Sequence, residues 1–371
     1  MGRMLVTGGA GFVGSHLVDA LLGAGHEVRV LDNLDPQAHE GGVPRFLRRE
    51  AELVAGDLRD PGAVGRALDG VEVVFHQGGM VGNGQSMYEI HRYVDVNAGG
   101  TAVLLEQALR HRDTLRRVVT ASSMVVYGEG AYRCPEHGPV APGLRRAADL
   151  EARRWENRCP RCGEVASPVP TAEDHPLQPT SPYAISKRDC EELTLTTGIA
   201  HGIETVALRY LNIYGPRQAL SNPYTGVAAI FCTRLLGGRP PLVFEDGEQR
   251  RDLVHVSDVV RANLLAMDAP RAPGHAINVG TGVSLTVREL ALTLAAELGA
   301  GVEPEITGHH RAGDIRHCFA DLRRAGELLG FEARTDRAAG LRDLVDWVRG
   351  EAPVDRTPAA VAQLRERGLI R

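Results

Sequence analysis

The sequence lacks long apolar runs and an excess of basic residues. No window approaches the roughly 18 uninterrupted apolar residues that a transmembrane helix needs. The first expected strand begins at about Met4, so we expect no signal peptide and a cytoplasmic protein that contacts no membrane. The sequence has 42 Lys and Arg residues and 47 Asp and Glu residues, which gives a formal net charge of -5. Nucleic acid is therefore not an expected partner.

Cysteine is scarce, with six residues in 371. In a cytoplasmic protein these thiols are expected to be reduced, so a cluster of them indicates a metal before a disulfide. Glycine, by contrast, is abundant. The 43 glycines and 43% hydrophobic residues fit a globular enzyme with many tight turns. The length allows two domains, or one large α/β domain with an added lobe.

A glycine-rich loop stands between a short apolar strand and a helix near the amino terminus. Gly8, Gly11 and Gly14 have the spacing of a dinucleotide-binding loop, which combines a tight turn, a close backbone approach to pyrophosphate and contact between helix and sheet. Phe12 and Val13 open the helix, and we include them among the expected cofactor contacts. A plain strand-to-helix turn has the same pattern, so the next strand is needed to distinguish a dinucleotide-binding loop from an ordinary turn.

A carboxylate ends the second expected strand. Asp32 lies 18 residues after Gly14, where a carboxylate accepts hydrogen bonds from the adenosine ribose and repels a 2′-phosphate. This position favours NAD over NADP. Asp57, after a third strand, either meets the adenine amino group or caps the helix that begins at Pro61. The other expected cofactor contacts are Asn33, Leu58, Gln77 and Asn97.

The order of apolar strands and helices predicts the fold. A fourth strand is expected at 71–76, a helix at 97–109 and a fifth strand at 118–123. Such a β-α-β alternation predicts an α/β protein with a Rossmann doubly wound parallel sheet. Ligands of such sheets bind at the carboxyl ends of the strands, where Ser123 stands.

Tyr183 and Lys187 are four residues apart, so on a helix their side chains share one face. A free phenol titrates near about 10, which makes it a poor base at neutral pH. Positive charge from Lys187 and an oxidised nicotinamide, if both are close, lowers the pKa of Tyr183 toward the working range. A half-buried Tyr and a solvated Lys on an ordinary helix have the same spacing, so neighbouring motifs must support the pair.

Five ordered motifs carry a family resemblance. They are Thr7-Gly-Gly-Ala-Gly-Phe-Val-Gly14, Asp32, Ser122-Ser123-x3-Tyr127-Gly128, Tyr183-x3-Lys187 and Arg209-Tyr-Leu-Asn-Ile-Tyr-Gly-Pro-Arg217. Over about residues 3–350 the chain resembles the extended short-chain dehydrogenase/reductase family, in its nucleotide-sugar epimerase/dehydratase branch. The resemblance implies catalysis by Ser123, Tyr183 and Lys187, NAD as cofactor, and a dTDP- or UDP-sugar as substrate. It also implies a homodimer that pairs helices 97–109 and 183–197.

The two residues after Ser123 bear on the reaction. Dehydratases of this family have Asp and Glu there, whereas this chain has Met124 and Val125, which cannot move a proton. The resemblance then favours a 4-epimerase, in which hydride leaves C4 for NAD and returns through a 4-keto intermediate. A dehydratase, a decarboxylase and a 2-epimerase stay open. A non-catalytic NAD-binding sensor also stays open, although the retained Ser, Tyr and Lys favour an enzyme.

The resemblance also implies contacts to the substrate. Asn212 and Arg251 match residues that hold the diphosphate, and Arg311 with Asp314 matches a motif for the ribose and base. Arginine suits a diphosphate because its planar guanidinium donates hydrogen bonds in pairs. For Arg251 and Arg311 the alternative is a surface salt bridge. The remaining expected contacts are Ser86, Met124, Arg217 and the catalytic Ser123.

The chain between Tyr127 and Tyr183 is longer than a strand-to-helix connection requires. Two pairs of metal-binding residues, each with two residues between them, occur there with the spacing of a tetrahedral zinc site: Cys134, His137, Cys159 and Cys162. A structural zinc is expected because protein side chains fill all four positions. The alternative is a mobile loop with unrelated thiols. A helix at 144–155 is expected to cover the site, and one group of 4-epimerases has a similar insertion.

The domain organisation follows from these segments. We expect a smaller C-terminal substrate-binding lobe beside the NAD-binding domain, and a zinc-knuckle-like insertion within that domain. The expected bounds are 1–212 for the NAD-binding domain with 130–176 inserted and 250–280 returning to it, 213–249 and 281–350 for the lobe, and 351–371 for a tail with a helix at 359–367. Asp258 and His255 are expected to cap or pack rather than to bind ligand.

Overall fold

The computed structural model describes residues 2–39 and 42–371, and most of its segments are short strands and helices in alternation. The strands are β1 (Arg3–Thr7), β2 (Glu27–Asp32), β3 (Glu52–Ala55), β4 (Val73–His76), β5 (Arg117–Ser123), β6 (Tyr132–Cys134), β7 (Gly138–Val140), β8 (Ser167–Pro168), β9 (Glu204–Tyr210), β10 (Asn212–Tyr214), β11 (Leu242–Val243), β12 (Arg250–His255), β13 (His275–Val279), β14 (Ser284–Thr286), β15 (Glu305–Ile306) and β16 (His317–Cys318). The helices are α1 (Phe12–Gly23), α2 (Pro61–Leu68), α3 (Asn83–Ser86), α4 (Ile90–Val94), α5 (Gly100–Arg110), α6 (Ala147–Glu151), α7 (Pro182–His201), α8 (Val227–Leu236), α9 (Val256–Asp268), α10 (Val287–Leu298), α11 (Arg323–Leu329), α12 (Arg337–Arg349) and α13 (Thr357–Glu366). None of the helices in the described ranges is long and apolar enough to cross a lipid bilayer.

A seven-stranded parallel sheet forms the centre of the molecule, in the order β13-β9-β5-β4-β1-β2-β3. Strands such as β4 and β5 are almost wholly buried, as expected when helices cover both faces of a sheet. The strand order reverses direction between β1 and β4, and such a reversal opens a crevice at the carboxyl edge. The prediction of a Rossmann doubly wound α/β sheet is confirmed.

Helix α7 brings Tyr183 and Lys187 to that edge. It begins where it does because the Ser181 hydroxyl accepts a hydrogen bond from the Ala184 amide at 3.1 Å, and Pro182 occupies the first turn. It ends at Gly202, whose φ of 74° is left-handed. The helix packs against β5 and β9, so its first turns stand beside the carboxyl ends of those strands.

The lobe and the insertion are built from short strands. In the lobe, β12 pairs with β10, β14 and β16, and helices α8, α10 and α12 pack together beside them. In the insertion, β6 lies between β7 and β8 in a three-stranded antiparallel sheet. After β12 the chain returns to the main sheet through α9 and β13, so the returning segment begins with α9 at Val256 rather than at residue 250.

Two expected helices differ from the prediction. Only Ala147–Glu151 is helical within 144–155, because Arg145 turns inward to the Glu245 carboxylate and Arg153 has a positive φ of 54°. The helix expected from Asn97 opens with a π-helical turn at Asp95–Gly99. That turn rotates the buried Asn97 side chain toward the backbone of Met80.

Candidate active site

A cavity of about 710 Å³ lies between the carboxyl edge of the main sheet and the lobe. Nearly all of the residues predicted to bind cofactor or substrate line it. From the cofactor side to the lobe these are Gly8, Gly11, Phe12, Val13, Gly14, Asp32, Asn33, Asp57, Leu58, Gln77, Ser123, Met124, Tyr183, Lys187, Asn212, Arg217, Arg251, Arg311 and Asp314. Motifs that are far apart in the sequence therefore meet in one space.

The glycine loop fits a dinucleotide. Gly8 has a φ of 66°, which L side chains rarely adopt, and a Cβ on Gly14 would lie 2.1 Å from the Gly8 carbonyl oxygen. No side chain from the described residues caps α1, so its first amide groups remain for an anion. A phosphate at this helix terminus would also gain from the helix dipole. The loop therefore forms a backbone cradle of the kind that holds a pyrophosphate.

Two carboxylates stand at the ends of β2 and β3. Asp32 accepts hydrogen bonds from the amides of Ala10 at 3.1 Å and Leu34 at 2.9 Å. The Arg59 guanidinium binds Asp57 and lowers the pKa of that carboxyl to about 2. The cap of α2 is Asp60, which accepts from the Gly62 amide at 2.8 Å, so the capping alternative for Asp57 is wrong. Asp57 is therefore held ionised, and hydrogen bonds or ion pairs fix both carboxylates in the cavity wall.

The Ser, Tyr and Lys residues converge at the end of β5. The register pairs Ser123 with Tyr210 of β9, and the Ser123 hydroxyl is hydrogen-bonded to the Tyr183 phenol. Burial raises the pKa of Tyr183 to about 12, although this hydrogen bond lowers it. Burial also lowers the pKa of Lys187, whose ammonium donates to the Ala121 carbonyl. The protein alone therefore holds the phenol protonated, and a usable phenolate requires added positive charge beside it.

Of the two predicted cofactor contacts Gln77 and Asn97, the first lies in the cavity wall and the second lies behind it. Gln77 lines the cavity and donates to the hydroxyl of Tyr210 at 3.1 Å. Asn97 lies outside the lining; its side chain accepts from the Met80 amide at 2.7 Å and donates to the Ser186 hydroxyl at 2.9 Å. Asn97 thus ties the loop after β4 to α7. It acts on the cavity through these two elements.

Asn212 and Arg251 point to a ligand in the lobe. The side-chain oxygen of Asn212 is buried and has no partner among the described residues, which costs free energy unless a ligand donates to it. Arg251 donates to the carbonyls of Ile315 at 2.7 Å and Arg316 at 2.9 Å. Burial lowers the pKa of Arg251. Among residues 2–39 and 42–371, Arg251 has no carboxylate partner, so the surface salt bridge considered for it is not found there.

The loop at 311–314 faces the same side of the cavity. The Arg311 Nε atom donates to Asp314 at 2.7 Å, and its guanidinium lies 4.7 Å from the centre of the Phe244 ring. This ion pair is partly exposed, as the salt-bridge alternative predicted, yet both residues line the cavity. The guanidinium thus lies over the face of the Phe244 ring, and a stack of this kind is suited to contact with a planar base.

Two predicted substrate contacts lie elsewhere than expected. Arg217 bonds to Asp19 of α1 at 2.7 Å and covers the Phe46 ring, so it faces the cofactor side of the cavity. Its φ of 69° turns the chain in that direction. Ser86 is fully buried and does not line the cavity, because its hydroxyl donates to the Asn83 carbonyl at 2.7 Å. Asn83 and Gly84 form the cavity wall at this point.

The Cys and His residues of the insertion form a compact cluster. The ligand atoms of Cys134, His137, Cys159 and Cys162 all lie within 4.8 Å of one another. The Cys134 sulfur is 3.6 Å from both the Cys162 sulfur and the His137 Nδ1 atom. Tetrahedral zinc bonds of about 2.0–2.3 Å place ligand atoms roughly 3.5–3.8 Å apart, which agrees with these separations. The donor set therefore fits a structural zinc.

Several residues that shape the cavity carry no local sequence signal. Arg145 of the insertion bonds to Glu245 at 2.7 Å and to the Asp314 carbonyl at 3.0 Å. Thr357, Ala360, Val361 and Leu364 of α13 line the cavity as well. The spacing of apolar residues along the last helix indicates a buried face, but it does not indicate which part of the protein that face contacts.

Comparison with known proteins agrees with this site. The model of the NAD dependent epimerase/dehydratase family matches residues 4–143 and 161–280. A dTDP-L-rhamnose 4-epimerase of Burkholderia thailandensis is 33% identical over 94% of this chain and 95% of its own. The UDP-glucose 4-epimerase of Thermotoga maritima, solved with UDP-glucose, is 32% identical over 94% of this chain and 99% of its own, with a TM-score of 0.76. That of Thermus thermophilus, solved with NAD, is 31% identical over 94% and 100%, with a TM-score of 0.74.

Other relatives are named as different enzymes of nucleotide sugars. They include dTDP-glucose 4,6-dehydratases and a UDP-N-acetyl-alpha-D-glucosaminuronate decarboxylase, which match 94% of this chain. Relatives of this chain thus carry names for several different reactions of nucleotide sugars, so membership of the family does not by itself identify the reaction. On the family match and on these identities, the chain belongs to the NAD-dependent epimerase/dehydratase family.

Proposed function

We propose that this protein is an NAD-dependent epimerase that inverts C4 of a dTDP- or UDP-linked sugar through a 4-keto intermediate. One observation carries the proposal. Ser123, Tyr183 and Lys187 meet at the cavity, whereas the two positions after Ser123, which a dehydratase needs for acid and base, are the apolar Met124 and Val125.

The residues of this chain then have distinct tasks. Tyr183 withdraws the proton of the C4 hydroxyl and later returns it, and Ser123 shares that hydroxyl. Lys187 adds positive charge that favours the phenolate. The glycine loop and Asp32 would hold NAD, which would supply a reversible hydride acceptor for C4. Inversion requires the 4-keto sugar to turn in the cavity between the two hydride transfers.

The carboxylates of the cavity support epimerisation over elimination. Within the described ranges those that line it are Asp32, Asp35, Asp57 and Asp314. Asp35, Asp57 and Asp314 are paired with arginines, and Asp32 accepts backbone amides. None of them is free to remove a C5 proton or to protonate a leaving oxygen.

The test begins with mass spectrometry of whatever dinucleotide the purified protein carries. The holoenzyme is then incubated with dTDP-L-rhamnose, UDP-glucose, UDP-galactose and UDP-glucuronic acid in deuterated water. We expect a C4 epimer without solvent deuterium, because the hydrogen stays on the cofactor. Deuterium at C5, loss of water or loss of CO₂ would replace the proposal with a dehydratase, a decarboxylase or another reaction. Deuterium at C2 would indicate a 2-epimerase.

We propose that the cavity has a cofactor end and a nucleotide-sugar end. The cofactor end comprises the glycine loop, Asp32, Asn33, Asp57, Leu58 and Gln77, with Asn97 positioning it. The nucleotide-sugar end comprises Met124, Asn212, Arg251, Arg311 and Asp314. These ends correspond to an NAD-binding domain and a substrate lobe. The buried, unpartnered Asn212 oxygen supports the second assignment.

The Cys and His cluster is proposed to hold one structural zinc through Cys134, His137, Cys159 and Cys162. Four protein ligands leave no position for a water or substrate, so the ion would fold the insertion and would not enter the reaction. Elemental analysis of the purified protein is expected to find one zinc per chain. A zinc content near zero in protein purified without chelator would exclude the site.

A homodimer is proposed that pairs the helices expected at 97–109 and 183–197, here α5 and α7, with α4 packed against α7. Ile90 and Val94 of α4 and Ile185 and Leu193 of α7 expose apolar side chains on neighbouring helices. Burying these faces against a second copy would remove them from water. Light scattering is expected to give twice the chain mass, and a monomer mass would contradict this part of the proposal.

A further inference from the structure

The C-terminal segment forms one wall of the cavity. Residues 354–371, here called the C-terminal strap, contain α13, and its Thr357, Ala360, Val361 and Leu364 line the cavity. Their spacing of three and four residues places them on one helix face. Ala360 and Leu364 are buried. The face that the strap turns to the cavity is therefore apolar except for one hydroxyl.

Contacts along its whole length fix the strap in place. At its start, Asp355 pairs with Arg234 and Arg239 of the lobe, each at 3.2 Å. In its middle, Gln363 accepts from the hydroxyl of Tyr88 at 3.2 Å. These contacts reach from the lobe to the loop after β4, so the strap crosses between the two sides of the cavity.

At its end, the strap pairs with the loop that carries Arg311. Ile370 forms an antiparallel bridge with Arg311, and the Ala312 amide donates to the Leu369 carbonyl at 2.8 Å. Arg371 and His310 exchange two further backbone hydrogen bonds of 2.9 and 3.1 Å. The strap and the Arg311 loop therefore hold each other.

Two successive contacts connect the apolar face of the strap to the helix that carries Tyr183. A Cβ placed on Gly84 would lie 3.4 Å from the Leu364 Cδ1 atom. The neighbouring Asn83 accepts from the Ser181 hydroxyl at 2.8 Å, and Ser181 caps the helix that carries Tyr183. Leu364 is thus two contacts from the first turn of α7, which carries Tyr183.

We propose that the C-terminal strap is the specificity wall for the sugar, and that it selects sugars whose C6 substituent is uncharged. This inference rests on the function proposed above. A carboxylate in contact with Ala360, Val361 and Leu364 would lose its hydration without gaining a hydrogen bond or an ion pair, and this desolvation costs free energy. Arg92, the cation on nearby α4, is already paired with Asp35 at 2.9 Å and Glu89 at 3.0 Å. A hexose or deoxyhexose meets no such penalty.

The test uses the full chain with its bound cofactor and the variants Leu364→Ala, Leu364→Lys and Val361→Ala. Glu366→Ala is the matched control, because Glu366 is exposed two residues farther along the same helix. Each variant is assayed with every panel sugar that the unaltered protein turns over, and with UDP-glucuronic acid. Dinucleotide content and melting temperature are measured on the same samples.

We expect Leu364→Ala to raise KM about fivefold or more with kcat changed less than about twofold, because an apolar contact made in both ground and transition state is lost. Val361→Ala should raise KM by about twofold on the same reasoning, and it keeps the test open if Leu364→Ala is unstable. Leu364→Lys should raise kcat/KM for UDP-glucuronic acid relative to UDP-glucose by about tenfold, since the ammonium would pair with the carboxylate. Glu366→Ala should match the unaltered protein.

The outcomes separate the two proposals. If the protein turns over panel sugars but KM stays unchanged in Leu364→Ala and Val361→Ala, the strap proposal is wrong and the epimerase proposal stands. A preference of the unaltered protein for UDP-glucuronic acid over UDP-glucose would also overturn the strap proposal alone. If the cofactor-loaded protein turns over none of the sugars, the epimerase proposal fails and the strap proposal falls with it.

Discussion

The two ends of the cavity are constructed in different ways. The cofactor end is made from short contiguous motifs: one glycine turn, one carboxylate at a strand end, and one helical turn with Tyr183 and Lys187. The proposed nucleotide-sugar end is lined by segments far apart in the chain, which are β12, the loop at 311–315 and the C-terminal strap, and Arg145 of the insertion supports that loop through the Asp314 carbonyl. Chemistry shared by a family can reside in local patterns, whereas the shape that selects a substrate depends on tertiary contacts.

Buried charge distinguishes the nucleotide-sugar end further. Arg316 is 1% exposed and binds Glu245, which is also 1% exposed, together with Glu156 and Asp246. Arg145 of the insertion reaches the same Glu245. Such a network contributes little net stability relative to an apolar core, but it fixes one arrangement, because a charge that loses its partner is expensive to leave buried. The insertion is thereby locked to the loop that carries Asp314.

The largest expected effect tests the chemistry at the cofactor end. Tyr183→Phe removes the proton-transfer group and should lower kcat by about 10³-fold or more while the protein keeps its dinucleotide. Tyr93→Phe is the control, because the Tyr93 ring is 6.1 Å from that of Tyr183 and its hydroxyl donates to the Val81 carbonyl. Steady-state kinetics and dinucleotide content give the result. Near-normal turnover by Tyr183→Phe would disprove the assigned base.

The next effect should fall on the nucleotide-sugar end. Arg316→Met leaves Glu245 and Asp246 without their shared cation, so the free energy of unfolding should fall by about 3–5 kcal/mol. Arg334→Met, at an exposed pair with Glu332, should change it by less than about 0.5 kcal/mol. Denaturant titration measures both. We also expect Arg316→Met to bind UDP more weakly while its dinucleotide content stays unchanged. An equal loss of UDP and dinucleotide binding would contradict the proposal that the two ends of the cavity are built independently.

A smaller effect is expected from the Cys and His cluster. Cys134→Ser should lose the metal and lower the melting temperature by roughly 3–6 °C, because only the insertion loosens. Cys162→His keeps a zinc-binding side chain and should retain the metal. Elemental analysis and thermal melts on both variants decide the matter. Full metal content in Cys134→Ser would show that this thiol is not a ligand.

The smallest expected effect is on pH dependence at the insertion. Although burial raises it, hydrogen bonds from His317 and Arg316 lower the pKa of Glu156 to about 2, from a usual value of 4.5. A carboxyl whose pKa is lowered by folding stabilises the protein above its unfolded pKa, and that contribution disappears as the pH falls from 4.5 toward 2.

Glu156→Gln should therefore cost less than about 1 kcal/mol at pH 7, since the side chain is 39% exposed and solvent screens it. The difference from the unaltered protein should shrink at pH 3. Denaturant titrations at both pH values measure it. A difference that grows toward low pH would reverse the assigned direction.

Sequence reasoning reached the cofactor end because each of its signals is local. The glycine spacing, the strand-end Asp32 and the Tyr-x3-Lys pair all depend on residues within one turn or one strand, whose geometry is fixed by the backbone. The Cys and His spacing identified four side chains that the structure brings together, and the zinc itself stays a prediction. The parallel doubly wound sheet followed from the alternation of elements.

The same reasoning failed where a side chain found a distant partner. The helix expected at 144–155 is short because Arg145 pairs with Glu245, one hundred residues away. Arg217 faces the cofactor side of the cavity because its guanidinium bonds to Asp19 of α1, which is far away in the sequence. Ser86 is a local exception, because its hydroxyl donates to the carbonyl of Asn83, three residues earlier in the chain. No periodicity or spacing in the sequence encodes the two distant pairings.

The pairing of Leu369–Arg371 with His310–Ala312 has a practical consequence for protein production. An affinity tag fused after Arg371 would begin at a segment that hydrogen-bonds to the Arg311 loop, and under the proposed function it would disturb the binding of the nucleotide sugar. A tag before β1 emerges at the amino edge of the main sheet, opposite the cavity. For this protein the position of a purification tag is therefore a variable of the activity assay, and an inactive C-terminal fusion would say nothing about the enzyme itself.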